Sequence, residues 1–163
     1  MKLKIISGGQ MGVDQAALRA AQSWGIPTGG TMPLGWLTED GPRPEFEAMY
    51  GMVESPSPNY VVRTEQNVKD ADITLWCGPM GSRGFYATRR AAEKHGKPFV
   101  AAVMLDAPNL VETLRDLATA RGGALTINVA GSRESRWRGI GAEIEGELTA
   151  LFHALLDDGE ADA

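Results

Sequence analysis

The chain predicts an α/β fold: one three-layer domain with a mostly parallel sheet covered by helices on both faces. Short, wholly apolar runs at Leu3–Ile6, Ile73–Cys77, Phe99–Leu105 and Ala124–Ala130 lack the alternation of a sheet with one wet face. They therefore read as strands buried on both sides. Stretches of helical period separate them, and this alternation along the chain is the pattern of a doubly wound sheet.

The first strand breaks on Ser7-Gly8-Gly9-Gln10-Met11-Gly12-Val13-Asp14 into a helical stripe of Val13, Ala17, Ala20, Ala21 and Trp24. Glycines allow close backbone approach, and free first-turn N–H groups favour an anion. The turn reads either as a phosphate-binding loop or as a tight connection. No Gly-Lys-Ser/Thr ending follows it, and the glycines do not form G-x-G-x-x-G. Asp14 reads equally as a ligand to a hydroxyl or as an acid placed by the helix dipole.

A further strand is expected near Ile26–Gly30. Residues 27–58 then carry six of the nine prolines. A connection this long is disordered or functional, and its Trp, Met and Phe residues favour an ordered loop beside a ligand cleft. Trp24, Trp36, Phe46, Tyr50 and Met52 are expected in part at a homo-oligomeric interface, the alternative being that they fold back on their own domain.

Arg63, Thr64 and Asn67 lie on a helix that puts Arg63 and Asn67 on one face and closes at Asp70 and Asp72. After Ile73–Cys77 comes a second glycine loop, Gly78-Pro79-Met80-Gly81-Ser82-Arg83-Gly84. The helix that follows carries Thr88, Ala91, Ala92 and His95, and stops at Gly96 with Pro98 beyond. Asn109 and Glu112 read as a capping pair for a helix with Leu110, Leu114, Leu117 and Ala118 on its apolar stripe. After Ala124–Ala130, a loop from Gly131 to Gly139 holds Arg133, Arg136 and Arg138. The last helix presents Ile140, Ile144, Leu148, Leu151, Phe152 and Leu155. Residues 1–156 form the ligand-binding domain and 157–163 an acidic tail.

Loops at the carboxyl ends of parallel strands converge where strand order reverses. Two glycine loops and an arginine loop at one edge describe a pocket for a strongly anionic small molecule. The net charge of −5 argues against a general grip on nucleic acid. One cysteine, Cys77, and two distant histidines offer no metal-ligand spacing. Cys77 reads as a small core residue, His95 as a cation suited to the last turn of its helix, and His153 as a helix-surface residue. No Ser/His/acid set is visible, so no catalytic residue is assigned. No run approaches a membrane span and no leader pattern is present, so a cytoplasmic protein is expected.

Over about residues 3–145 the chain resembles the molybdenum cofactor carrier family. That family lies within the Rossmann-like group that includes the lysine-decarboxylase-like phosphoribohydrolases. The resemblance rests on Ser7-Gly8-Gly9-Gln10 with Gly12-Val13-Asp14, Gly25-Ile26-Pro27 with Gly29-Gly30, and Glu39-Asp40-Gly41-Pro42. It continues through Arg63-Thr64 with Asn67-Val68, His95-Gly96-Lys97-Pro98, and Asn128-Val129-Ala130-Gly131 with Arg133-Glu134-Ser135. The resemblance implies a Rossmann-like carrier of the molybdenum cofactor, or of another phosphorylated pterin or nucleotide, assembled as a dimer or tetramer. The binding set it implies, together with the loops, is Ser7, Gly8, Gly9, Gln10, Gly12, Asp14, Arg63, Asn67, Gly81, Ser82, Gly84, Thr88, Asn128, Gly131, Arg133 and Glu134. The anion is expected on the N–H groups of residues 8–12, with loop 81–84 opposite. Met11, Gln15 and Ser82-Arg83-Gly84-Phe85 depart from the family's loops. The alternatives are a nucleotide-derivative sensor and a nucleotide-processing N-glycosidic hydrolase. The phosphoribohydrolase glutamate is missing from its expected place, the next being Glu93.

Overall fold

The structure, a computed structural model, describes residues 1–157. Five parallel strands form the central sheet: β1 (Lys2–Ile6), β2 (Thr28–Gly29), β7 (Ile73–Cys77), β8 (Phe99–Ala102) and β9 (Ala124–Gly131), in the spatial order β2-β1-β9-β7-β8. The crossovers carry α1 (Val13–Ser23), α3 (Tyr60–Asp70), α4 (Arg83–His95) and α5 (Leu110–Ala120), and α6 (Ile140–Leu156) follows β9. Right-handed crossovers running in opposite directions along a sheet put their helices on opposite faces. Accordingly α1, α5 and α6 pack together over one face and α3 pairs with α4 on the other.

Strand alternation follows this division. Ile5, Leu75, Cys77, Ile127 and Val129 enter the main core with the apolar stripes of α1, α5 and α6. Trp76 and Asn128 point the other way, and the Asn128 amide donates to Thr74 Oγ1 at 3.2 Å. Val68, Ala91 and Ala92, with Phe99 against them, form a smaller core under α3 and α4. Counted from β9, the spatial order of the sheet reads 3-2-1-4-5, the order of a dinucleotide-binding sheet. The chain therefore enters that arrangement at its second strand and builds its first strand last.

Residues 30–58 are ordered around short elements: β3 (Thr31–Met32) pairs with β6 (Val53–Glu54), and β4 (Leu37–Thr38) with β5 (Gly41–Pro42), followed by α2 (Phe46–Tyr50). Phe46, Tyr50, Met52 and Met32 close over Leu18 of α1, with Trp36 packed beside them. The expected interface role for Phe46, Tyr50 and Met52 is thus corrected, because their apolar surface is buried within the protomer. Trp24 remains partly exposed and rests against the His153 ring, 5.9 Å away.

Two local expectations also change. The strand expected over Phe99–Leu105 ends at Ala102, and Leu105 adopts a φ of 60° that no strand accommodates. Asn109 also has a φ of 60° and makes no side-chain cap, so it does not pair with Glu112. Elsewhere α4 does stop at Gly96, in the left-handed conformation. Of the acidic tail, only Asp157 lies within the described residues.

Candidate functional site

A cleft of about 530 Å³ opens at the carboxyl ends of β1, β9 and β7, on the side of the sheet covered by α3 and α4. Of the expected binding residues, Gly8, Gln10, Asp14, Arg63, Asn67, Gly81, Ser82, Gly84, Thr88, Gly131 and Arg133 line it. Ser7, Gly9, Gly12, Asn128 and Glu134 do not.

The first loop is largely bonded to itself. The N–H groups of Gly9, Gln10 and Met11 donate to Ser7 Oγ (3.3 Å), Asp14 Oδ2 (3.2 Å) and Gln10 Oε1 (3.0 Å). Ser7 Oγ in turn donates to the Asp14 carbonyl at 2.9 Å. Gly8 has its own reason to be glycine: a Cβ there would overlap the guanidinium of Arg63. That guanidinium crosses from α3 to meet Asp14, with Nη1 3.3 Å from Oδ2 and both side chains 9% exposed. Burial pushes the Asp14 carboxyl above the usual carboxylate range, and Arg63 is the strongest influence opposing it. Arg63 Nε is buried without a hydrogen-bond partner. Asn67 ties the long loop to the sheet: its amide donates to the Ser7 and Thr31 carbonyls, and its oxygen accepts the Thr31 N–H at 2.7 Å.

Helix N-termini follow β1, β7 and β9 at this edge, and each is a potential anion seat. At α1, the Asp14 carboxylate accepts the N–H of Gln10, and the Ser132 carbonyl accepts that of Val13. At α6, Glu134 accepts the N–H groups of Gly139 (2.6 Å) and Gly141 (3.1 Å), so it serves the helix rather than the cleft. At α4, Ser82 caps only Phe85, leaving the first-turn N–H groups of Arg83 and Gly84 for solvent or ligand. The Thr88 hydroxyl donates to the Gly84 carbonyl at 2.7 Å.

Among the described residues, four arginines line the cleft, Arg63, Arg83, Arg133 and Arg136, against one carboxylate, Asp14. Arg133 stands over the Tyr60 ring, its guanidinium carbon 6.0 Å from the ring centre. Glu39, from the β4–β5 turn, latches onto Ser135 through the serine hydroxyl and N–H, and its own N–H donates to Gln10 Oε1. Tyr60, Thr64, Trp76 and Ser132 also line the cleft and were not among the expected site residues. The period of the Arg63 helix could have exposed Thr64, and the alternation along β7 could have turned Trp76 toward α4. Nothing local marks Tyr60, which begins α3 behind its Asn59 cap.

A sheet of dinucleotide-binding order with a cationic cleft at its strand reversal defines a Rossmann-like domain. The model of the circularly permutated YpsA SLOG family matches residues 5–152, and the chain belongs to that family. The strand order of this chain is itself a circular permutation of the dinucleotide-binding order. The chain is also similar to the crystal structure of a Syntrophus aciditrophicus SB protein named as a candidate molybdenum carrier protein. The two are 33% identical over 94% of each chain, with a TM-score of 0.72. No curated protein matches the chain. Among the described residues, no helix is long and apolar enough to cross a membrane, and no cluster of His, Cys, Asp and Glu could hold a metal ion.

Proposed function

We propose that this protein is a carrier for a phosphorylated small molecule, with the molybdenum cofactor, another pterin phosphate or a nucleotide as candidates. The name of the Syntrophus neighbour favours the first of these. One observation carries the reading: among the described residues, four arginines and a single, already paired carboxylate line the cleft of a chain whose net charge is −5. The anionic group belongs at the open N-terminus of α4, against Gly81–Gly84, with Arg133 and Arg136 closing over it. The buried, unpartnered Arg63 Nε adds a donor within the lining. Gly8 and Gln10 form the facing wall rather than the main donor set, because the neighbouring N–H groups are spent within their own loop.

With no cluster of metal ligands among the described residues, a molybdenum centre would enter on its pterin and be held through its oxyanion and phosphate charge. The hydrolase alternative gains no support from the residues present. Glu93 is exposed on α4, 3.6 Å from Arg89, and Asp14 is committed to Arg63. Mass spectrometry of small molecules released from the natively purified protein tests the proposal. A phosphorylated pterin or nucleotide is the expected result. Neutral ligands only, together with no thermal stabilisation by pterin phosphates, nucleotides or molybdate, would overturn it.

A further inference from the structure

A second groove of about 410 Å³ runs between α3 and α4 and meets the arginine cleft at a shared wall made by Tyr60 and Arg83. The two differ in character. Val61, Ala87 and Ala91 give the groove apolar walls, and the Tyr60 and Tyr86 rings stand along it. Tyr86 and Val61 are exposed, at 44% and 40%. Arg89, which does not line the groove, sits 5.5 Å over the Tyr86 ring, and the Phe85 ring meets Tyr86 edge-on with centroids 5.4 Å apart. Among the described residues the groove has one carboxylate, Glu65, which is held by Lys94 at 2.6 Å and by His95 at 2.9 Å. Arg83 and Arg90 supply the remaining charge, both positive.

We infer that this groove is the subsite for the planar aromatic ring of the ligand whose phosphate occupies the α4 N-terminus. The inference rests on the phosphate reading of the main cleft and adds to it the place where the ring of the ligand is held. A phosphate fills only a fraction of the main cleft, and Tyr60 and Arg83, common to both spaces, give a tethered group a direct way into the second groove. Beyond them it meets aromatic faces and methyl groups with a cationic rim. That surface suits a flat, electron-rich heterocycle and is poorly suited to a sugar phosphate alone, whose hydroxyls would find few acceptors there. The occupant is thus a phosphorylated heterocycle, either a purine nucleotide or a pterin phosphate.

Calorimetric titration with inorganic phosphate, ribose 5-phosphate, adenosine 5′-monophosphate and a pterin phosphate tests this on the intact chain. At least one ring-bearing probe should bind about tenfold or more tighter than ribose 5-phosphate, as expected of a base stacked on an aromatic side chain. Tyr86→Ala and Ala87→Trp should erase that advantage and leave ribose 5-phosphate binding unchanged, because neither residue lines the main cleft. Unaltered circular dichroism and melting temperature show that each variant is folded. The adenine and pterin arms identify which ring the groove prefers. Equal binding of ribose 5-phosphate and both ring-bearing probes, or equal loss for all probes in both variants, overturns the aromatic subsite while leaving the phosphate site standing. Binding of none of the four overturns both.

Discussion

Arg63→Met removes the partner of the one carboxylate in the cleft while keeping an apolar stem in its place. In the native protein Arg63 is 8% exposed and Asp14 7% exposed, so neither charge is well hydrated. Breaking a buried pair from one side leaves the other charge uncompensated and costs about 3–5 kcal/mol. In a domain of this size that corresponds to a fall of roughly 6–20 °C in melting temperature. The Asp14 carboxyl already sits above its usual range because of burial, and Arg63 is the main influence holding it down. The variant should raise it further. A native state that binds a proton more readily than the unfolded chain loses stability as pH rises through the native value. The deficit of Arg63→Met should therefore be greatest at mildly alkaline pH and shrink on acidification, as Asp14 becomes neutral. Adding Asp14→Asn should recover most of the loss. Urea unfolding of the wild type, both single variants and the double variant over that pH range reads this directly. A deficit that does not vary with pH, or a double variant as unstable as Arg63→Met, would refute the argument.

Four further outcomes follow from the same geometry. Arg133→Ala should weaken phosphate-bearing ligands by roughly 10- to 100-fold in titration, the contribution of a charge-assisted contact. Glu134→Ala should instead leave binding intact and lower stability by about 1 kcal/mol in chemical unfolding, because its carboxylate caps α6. Gly131→Ala should cost about 2 kcal/mol or more, since its Cβ would overlap the Cys77 carbonyl and lie 2.7 Å from Val13 Cγ2. Burial pushes the Cys77 thiol far above its ordinary value, so a thiol reagent should label it only at the rate of global unfolding.

The parts of the fold legible in the sequence were those where burial left one choice. Ile73–Cys77 is buried at every residue and read correctly as a strand covered on both faces. Gly96 ended α4 because only a residue tolerant of positive φ closes a helix in that way. Legibility failed where distant segments decide. The aromatic residues of the long loop looked like an interface because nothing local shows that Leu18 and Met32 wait beneath them. Asn109 carries a capping side chain, but its left-handed backbone turns that side chain away from the helix N–H groups. In the cleft, all three loops marked by glycines and arginines contribute residues to the lining. What each glycine accommodates was not visible, and at Gly8 it is the guanidinium of a residue 55 positions later.

The permuted topology accounts for the emphasis the sequence placed on the first loop. In a dinucleotide-binding sheet, the phosphate loop follows the strand at the reversal point, and in chain order that is normally the first strand. Here the strand in that position is β9, and the loop after it runs from Gly131 to Gly139. Its helix is already capped by Glu134, just as the loop after β1 is already occupied by Asp14. With two of the three anion seats filled by the protein's own carboxylates, the positive field at this edge is left at α4 and at the arginines that face it. Which glycine loop has donors left is therefore governed by where the protein's own carboxylates already sit, and neither position in the sheet nor position in the chain decides it alone.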